Sequence, residues 1–474
     1  MKRPLFASCA VLALTLFAAL PVRAAGERDV GADAREALTL TVYQNGIALV
    51  HDLRRLDLAA GENRLAIGDV SESLRPETLS LSSEAGGLGL VEQSYERATL
   101  THQALLEAAV GGPILLIREN PETGEETVAE ATLLSLASGP VLRVGDRIEI
   151  SPPGRIAFER LPEGLRAETA LLVTLDSETE QEAAVGFSYL SGGLGWQADY
   201  VAELDEASGT MDLTGYVTLT NGSGSDYENA GLRLVAGEVN VESAAPQPRM
   251  EMLQASGMAD MAKSYAPPPQ SASDRYLYTI ERPVTLKQGE TKQLALFSAE
   301  RQPVVRVYRF DNLVQAGGRG YETGPVNAGL LLRFENDPAA SLGMPLPAGT
   351  VRVYEGLAGG GSFFAGEDRI AHTPEGQEVE LRVGAAFDVT AEARGTDFDR
   401  LSDKTFEAAQ EIVLKNAKDE PVTVEVAGAL PQEWQILEES HPHEKISAGE
   451  VLWRVDLPAE GEVALTYRVR ISHN

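Results

Sequence analysis

Apolar and polar residues alternate with a period of two through most of this chain, and that restricts its fold more than any other feature. A period of two sends successive side chains to opposite faces of a strand, so one face meets a core and the other meets water. Leu38-Thr39-Leu40-Thr41-Val42-Tyr43 follows the rule, Asn45-Gly46 supplies a two-residue hairpin turn, and Ile47-Ala48-Leu49-Val50 returns. Gly61-Glu62-Asn63 then turns into Arg64-Leu65-Ala66-Ile67. The same pattern recurs at Met211–Leu219, Val304–Phe310, Leu330–Phe334, Val351–Tyr354 and Val463–Ile471. Strands this regular, with few helical patterns between them, predict an all-β chain built as a multi-module β-sandwich rather than from βαβ units.

Breaks in the pattern divide the chain. An N-terminal β module is expected over 37–98 and a small SH3-like barrel over 99–155. The barrel opens on a helix at His102–Val110, capped by Thr101 and stopped by Gly111-Gly112. Short strands follow at Ile114–Arg118, Val128–Leu136, Val141–Val144 and Arg147–Ile150, and Pro152-Pro153-Gly154 marks the end. A β-sandwich is expected over 156–242 and its continuation over 275–395. Between them, residues 243–274 are rich in Pro, Ser, Ala and Met without periodicity, the composition of a linker or mobile loop. Gly395 suggests a boundary, with an immunoglobulin-like C-terminal β module over 396–474.

Residues 1–24 have the layout of a secretory signal peptide. Lys2 and Arg3 precede an apolar run from Pro4 to Leu20, and Pro21-Val22-Arg23-Ala24 breaks it before cleavage after Ala24. The run falls short of the ~20 apolar residues of a spanning helix, and Cys9 stands too early in it for a lipoprotein cleavage site. No second apolar stretch is long enough to span a bilayer, so a periplasmic or secreted protein with no integral span is expected. Cleavage would remove the single cysteine, leaving a core that must be stable without disulfides. Losing Lys2, Arg3 and Arg23 would take the formal charge from −31 to −34. So acidic a body excludes nucleic acid and anionic headgroups as partners.

Several segments carry a family resemblance. They are Val42-Tyr43-Gln44-Asn45-Gly46; Ser188-Tyr189-Leu190-Ser191-Gly192-Gly193-Leu194-Gly195-Trp196-Gln197-Ala198-Asp199-Tyr200; and Tyr216–Asn221 with Asp226-Tyr227-Glu228-Asn229-Ala230. Lys415-Asn416-Ala417-Lys418-Asp419-Glu420-Pro421-Val422 and Glu439-Ser440-His441-Pro442-His443-Glu444-Lys445 complete the set. Together they resemble a bacterial exported family catalogued as a domain of unknown function and related to mucoidy-inhibitor-type proteins. The resemblance implies a secreted, β-rich envelope protein and carries over no catalytic residues. The long coiled coil of the mucoidy-inhibitor branch has no counterpart here.

Candidate sites are few. In an extended segment His441 and His443 would project to one face, with Glu444 nearby, as a metal site needs; Pro442 argues instead for a polar turn. Met250, Met252, Met258 and Met261 have spacings that suit Cu(I), or make an adaptable contact surface. Asp397, Asp399 and Asp403 offer oxygen ligands for calcium without the glycine and terminal glutamate of the helical calcium loop. Trp196 and Tyr200 suit core packing or an aromatic platform for sugars. Gly192-Gly193-Leu194-Gly195 is no phosphate loop, because a strand follows it rather than a helix. Gly186-Phe187-Ser188-Tyr189-Leu190 fails the nucleophile-elbow pattern at its fifth position. The expectation is a non-catalytic envelope scaffold for protein or polysaccharide partners, with no cofactor. The alternatives are a periplasmic copper or zinc protein and a polysaccharide-active enzyme with two facing carboxylates.

Overall fold

The computed structural model describes residues 27–241 and 269–472, apart from 85, 99, 138, 163–164, 238, 273, 316–320, 341, 358 and 431–432. The expected signal segment and the four methionines therefore lie outside the described residues. The chain is all-β as expected, with several separate sheets. Its α-helix among the described residues, His102–Ala108, begins where Thr101 accepts a hydrogen bond from the Ala104 N–H at 3.0 Å, and Gly111 leaves it with a φ of 87°. Among the described residues no helix is long and apolar enough to cross a membrane.

Two compact units emerge, and their borders differ from the expected ones. Residues 27–35, 54–70 and 81–185 form the first; 36–53, 71–80 and 186–472 form the second. The stretch expected as one module over 37–98 is therefore shared between them, because the 12-residue strand Ile47–Leu58 contributes to both. Within the first unit, Arg28–Val30, Gly61–Ile67, Ala170–Ser177 and Leu88–Glu96 make a four-stranded sheet in that order. Arg54 is fully buried there, its guanidinium donating to the carbonyls of Val30, Gly31 and Gly68. The barrel segment is a five-stranded antiparallel sheet around its own core of Ile114, Leu116, Leu133 and Leu142.

In the second unit, one sheet runs in the order Thr291–Pro303, Thr210–Asn221, Leu194–Asp205, Gly349–Gly356, Ser362–Ile370. It packs against a sheet containing Arg275–Leu286, Tyr227–Ala236 and Arg35–Tyr43 in a sandwich: the Trp196 ring meets Tyr278 edge-on at 6.3 Å, and its N–H donates to the Val235 carbonyl. A nine-stranded sheet follows. Glu450–Leu457 and Gly461–Ser472 lie near opposite ends of its order, yet Trp453 stacks on Tyr467 with centroids 4.9 Å apart. The sheet therefore folds over on itself around one core. That core takes in Phe310, Val389 and Ala391 along with Ile412, Trp453 and Val469. The C-terminal module thus starts near Val305 rather than at 396, and Gly395 lies inside the 23-residue strand Glu378–Arg400. The register shifts between Gly395 and Asp397, so the glycine marks a bulge rather than a boundary.

A repeated wiring underlies this unit. Leu194–Asp205, Thr210–Asn221, Tyr227–Ala236, Arg275–Leu286 and Thr291–Pro303 pair first with second, second with fifth and third with fourth, all antiparallel. Glu378–Arg400, Thr405–Asn416, Val422–Ala429, Glu450–Leu457 and Gly461–Ser472 pair identically. In each set the third strand also pairs in parallel with an earlier strand of the chain. Each second strand ends on a buried asparagine. Asn221 donates to the Ser225 and Leu286 carbonyls and accepts from the Ser223 N–H; Asn416 donates to the Glu420 and Pro458 carbonyls and accepts from the Lys418 N–H. Alanine at either position strands these buried groups, so Asn221→Ala and Asn416→Ala should each lose about 1–3 kcal/mol, read as lowered urea midpoints. A loss confined to one of the two would deny the equivalence.

Candidate functional site

The segment Gly192–Tyr200 joins the two sheets of the sandwich, and its glycines make that junction tight. Gly193 has a φ of 77°, and a Cβ there would come within 2.5 Å of the Gly222 carbonyl. Its N–H donates to the Gly46 carbonyl and its own carbonyl accepts from the Gly222 N–H, bringing together two of the segments noted above and the turn that follows Asn221. Past it, the period of two sorts the strand. Trp196, Ala198 and Tyr200 face inward and are buried. The Tyr200 hydroxyl donates to the Pro347 carbonyl at 2.6 Å, and burial pushes its pKa well up, so it stays neutral. The platform reading of Trp196 and Tyr200 is thus corrected: both rings are core, because the apolar face of this strand closes the sandwich.

The opposite face carries a continuous polar ladder. Gln293, Thr218 and Gln197 stand in register on three neighbouring strands, and Arg352 stands opposite Glu367 on the two beyond. The Gln293 amide donates to the Thr218 hydroxyl at 3.4 Å, and that hydroxyl donates to Asp199 Oδ2 at 2.7 Å. The Gln197 amide reaches the same oxygen at 3.4 Å, Arg352 donates to Asp199 Oδ1 at 3.0 Å, and Arg352 Nε lies 3.3 Å from Glu367. One bonded chain therefore crosses all five strands. Asp199 is 5% exposed, a buried carboxylate stabilised by the Arg352 charge and the Thr218 hydroxyl, while Gln197 and Gln293 expose their heads.

Aromatic rings border the ladder. Tyr216 lies beside Asp199 in register, and Tyr354 lies opposite Phe364. The pairing shifts from Val353 with Gly366 to Tyr354 with Phe364, leaving Ala365 as an extra residue. That bulge brings Phe364 to the same face as Glu367, although they are an odd number of positions, three, apart. Gly366 is required where it stands, because a Cβ would collide with the Val383 carbonyl. Phe364 is 53% exposed, its ring 5.7 Å from that of Tyr354. Amides, hydroxyls and a guanidinium on one sheet face, ended by an exposed ring, suit a ligand with many hydroxyl groups and an apolar ring face.

The other candidate residues are dispersed. His441 and His443 have different partners: His441 Nδ1 lies 2.9 Å from the Ser440 hydroxyl, and His443 Nδ1 lies 2.9 Å from Glu439. The backbone bends at Ser440-His441 rather than staying extended, so the same-face argument fails. Glu444 is taken by Arg454 at 2.6 Å. Asp397 and Asp399 both face Arg468, at 2.7 and 3.8 Å, and Asp403 is fully exposed beside Arg400. Among the described residues no three His, Cys, Asp or Glu side chains gather as a metal site. Met250, Met252, Met258 and Met261 lie outside the described residues. Ser188 does meet an imidazole, His51 at 2.8 Å, but inside the strand Gln181–Gly192 rather than on an elbow.

Sequence reasoning missed Gln197, Asp199, Thr218, Gln293, Arg352 and Glu367. The alternation inside Trp196–Tyr200 was the available signal, since two inward rings send Gln197 and Asp199 outward. Residues 185–474, more than half of the chain, match the model of a family described as Domain of unknown function (DUF4139). A search of curated proteins finds no match.

Proposed function

The chain belongs to the DUF4139 family, and from that premise we propose that it is a non-catalytic binding protein of the bacterial envelope, exported on residues 1–24. In this reading the outer face of the five-stranded sheet holds a polysaccharide while the folded-over C-terminal sheet serves as a rigid support. The observation that supports it is the five-strand polar ladder ending at the exposed Phe364. The resemblance to mucoidy-inhibitor-type proteins supports the compartment, since a mucoid phenotype is one of envelope polysaccharide.

The test uses the chain from Ala25 onward and calorimetric titration with polysaccharide extracted from the envelope of the source cells. Gln197→Ala with Gln293→Ala removes two exposed heads without disturbing Asp199's charge partner. The double variant is expected to bind at least about tenfold more weakly, the loss of roughly 1.4 kcal/mol. No binding by the unaltered chain, or equal binding by the variant, would sink the reading.

A further inference from the structure

The charges on the ladder say which class of glycan it suits. The acidic residues on this face are Asp199, Glu203, Asp205, Asp212 and Glu367, and the basic ones Arg352 and Arg369, five against two. The Arg352 cation is already shared by Asp199 and Glu367, so it offers no open charge to an anion. Asp212 accepts from the Arg301 N–H at 2.7 Å. The whole chain carries −31. A uronate or phosphate polymer laid here would meet net repulsion at every repeat, whereas the exposed Gln197 and Gln293 amides and the Thr218 hydroxyl bond to neutral hydroxyls at no electrostatic cost.

We infer that this face takes an uncharged glycan chain, laid across the strands from Gln293 to Phe364, with one pyranose ring packed on Phe364. The inference rests on the binding reading above and narrows it to a ligand class. At about 4.8 Å per strand the ladder spans roughly 19 Å, room for several linked sugars. Phe364 gives that ring an apolar surface at the sheet edge, held at its angle by Tyr354 and by the bulge at Ala365.

Affinity electrophoresis through gels containing neutral glucans, mannans or galactans, polygalacturonate, or chitosan tests the class. Retardation by a neutral polymer alone is expected, changing less than about twofold between roughly 0.05 and 0.5 M salt, because no ion pair is made. Phe364→Ala, at an exposed position, should weaken that retardation at least fivefold with an unchanged circular dichroism spectrum. Retardation by polygalacturonate or chitosan instead overturns the uncharged class while leaving polysaccharide binding standing. Neutral binding that Phe364→Ala leaves intact overturns the packed ring. Retardation by none of these, together with silence toward the envelope extract, overturns the binding reading itself.

Discussion

Trp453→Ala should lower stability by about 3–5 kcal/mol, the cost of emptying a large site in a packed core. Trp453 has no exposed surface, stacks on Tyr467 at 4.9 Å with the planes 24° apart, and donates its N–H to Glu439 at 3.0 Å. Its ring is where the two ends of the nine-stranded sheet close on each other. Tyr467 extends the contact inward, its hydroxyl bonded to Gln410, whose amide donates to the Leu313 carbonyl. Hydrogen exchange in Thr405–Asn416 and Gly461–Ser472 should therefore accelerate together, while the barrel strands around Leu133 exchange as before. Trp453→Phe retains most of the packing and should recover more than half of the loss. A Trp453→Ala loss below about 1 kcal/mol would mean the fold-over is not held there.

Glu425→Ala should also be damaging, by about 3 kcal/mol, because it removes the buried carboxylate shared by three arginines and leaves the half-buried Arg309 and Arg333 with Glu380 between them. Glu425 is 4% exposed and receives Arg309 at 2.7 Å, Arg333 at 3.2 Å and Arg454 at 3.4 Å, while Glu380 bridges the first two arginines from the other side. Burial works to raise the Glu425 carboxyl, but hydrogen bonds from Arg333 and Arg309 outweigh it and hold the pKa below its ordinary value. A depressed carboxylate contributes stability that is fully present above the unfolded pKa of about 4.3 and is lost as pH falls through the folded value. Urea midpoints measured downward from neutral pH should therefore decline for the unaltered chain. Glu425→Gln should start lower and decline less steeply; parallel curves would show that this carboxylate contributes nothing to the acid response.

Much of the strand pattern could be read from the residues alone. Val141–Val144 and Arg147–Ile150 appear at the expected residues, and Thr101 caps the helix as expected. These are local matters, set by alternation, turn chemistry and a single side-chain bond. What stayed hidden depends on distant partners. Asp199 is held by Arg352, 153 residues away, and nothing local announces that pairing. Gly395 read as a boundary because a glycine between apolar runs signals a turn and a bulge equally well, and only the register with Thr405–Asn416 separates them. For Trp196 and Tyr200 the residues alone allow core packing or an exposed platform, because which face of a strand looks inward is settled by the sheet that packs on it.

The two asparagine-locked strand sets have a consequence for how such a chain can change. One wiring and one lock, present twice with little shared sequence, is what tandem copying leaves after long divergence. The copies differ most between their third and fourth strands, where one inserts residues 237–274 and the other 430–449. The methionines lie in the first insertion and His441 and His443 in the second. Neither segment supplies a partner to Asn221 or Asn416, and the second is tied to its copy by the pairing of Glu433–Glu439 with Gly461–Ser472 and of His443–Lys445 with Glu450–Leu457, so its length can change only in the turns between those strands. The frame therefore carries one pattern at two places, and at the second the added strands have become part of the closure, since Glu439 accepts the Trp453 N–H.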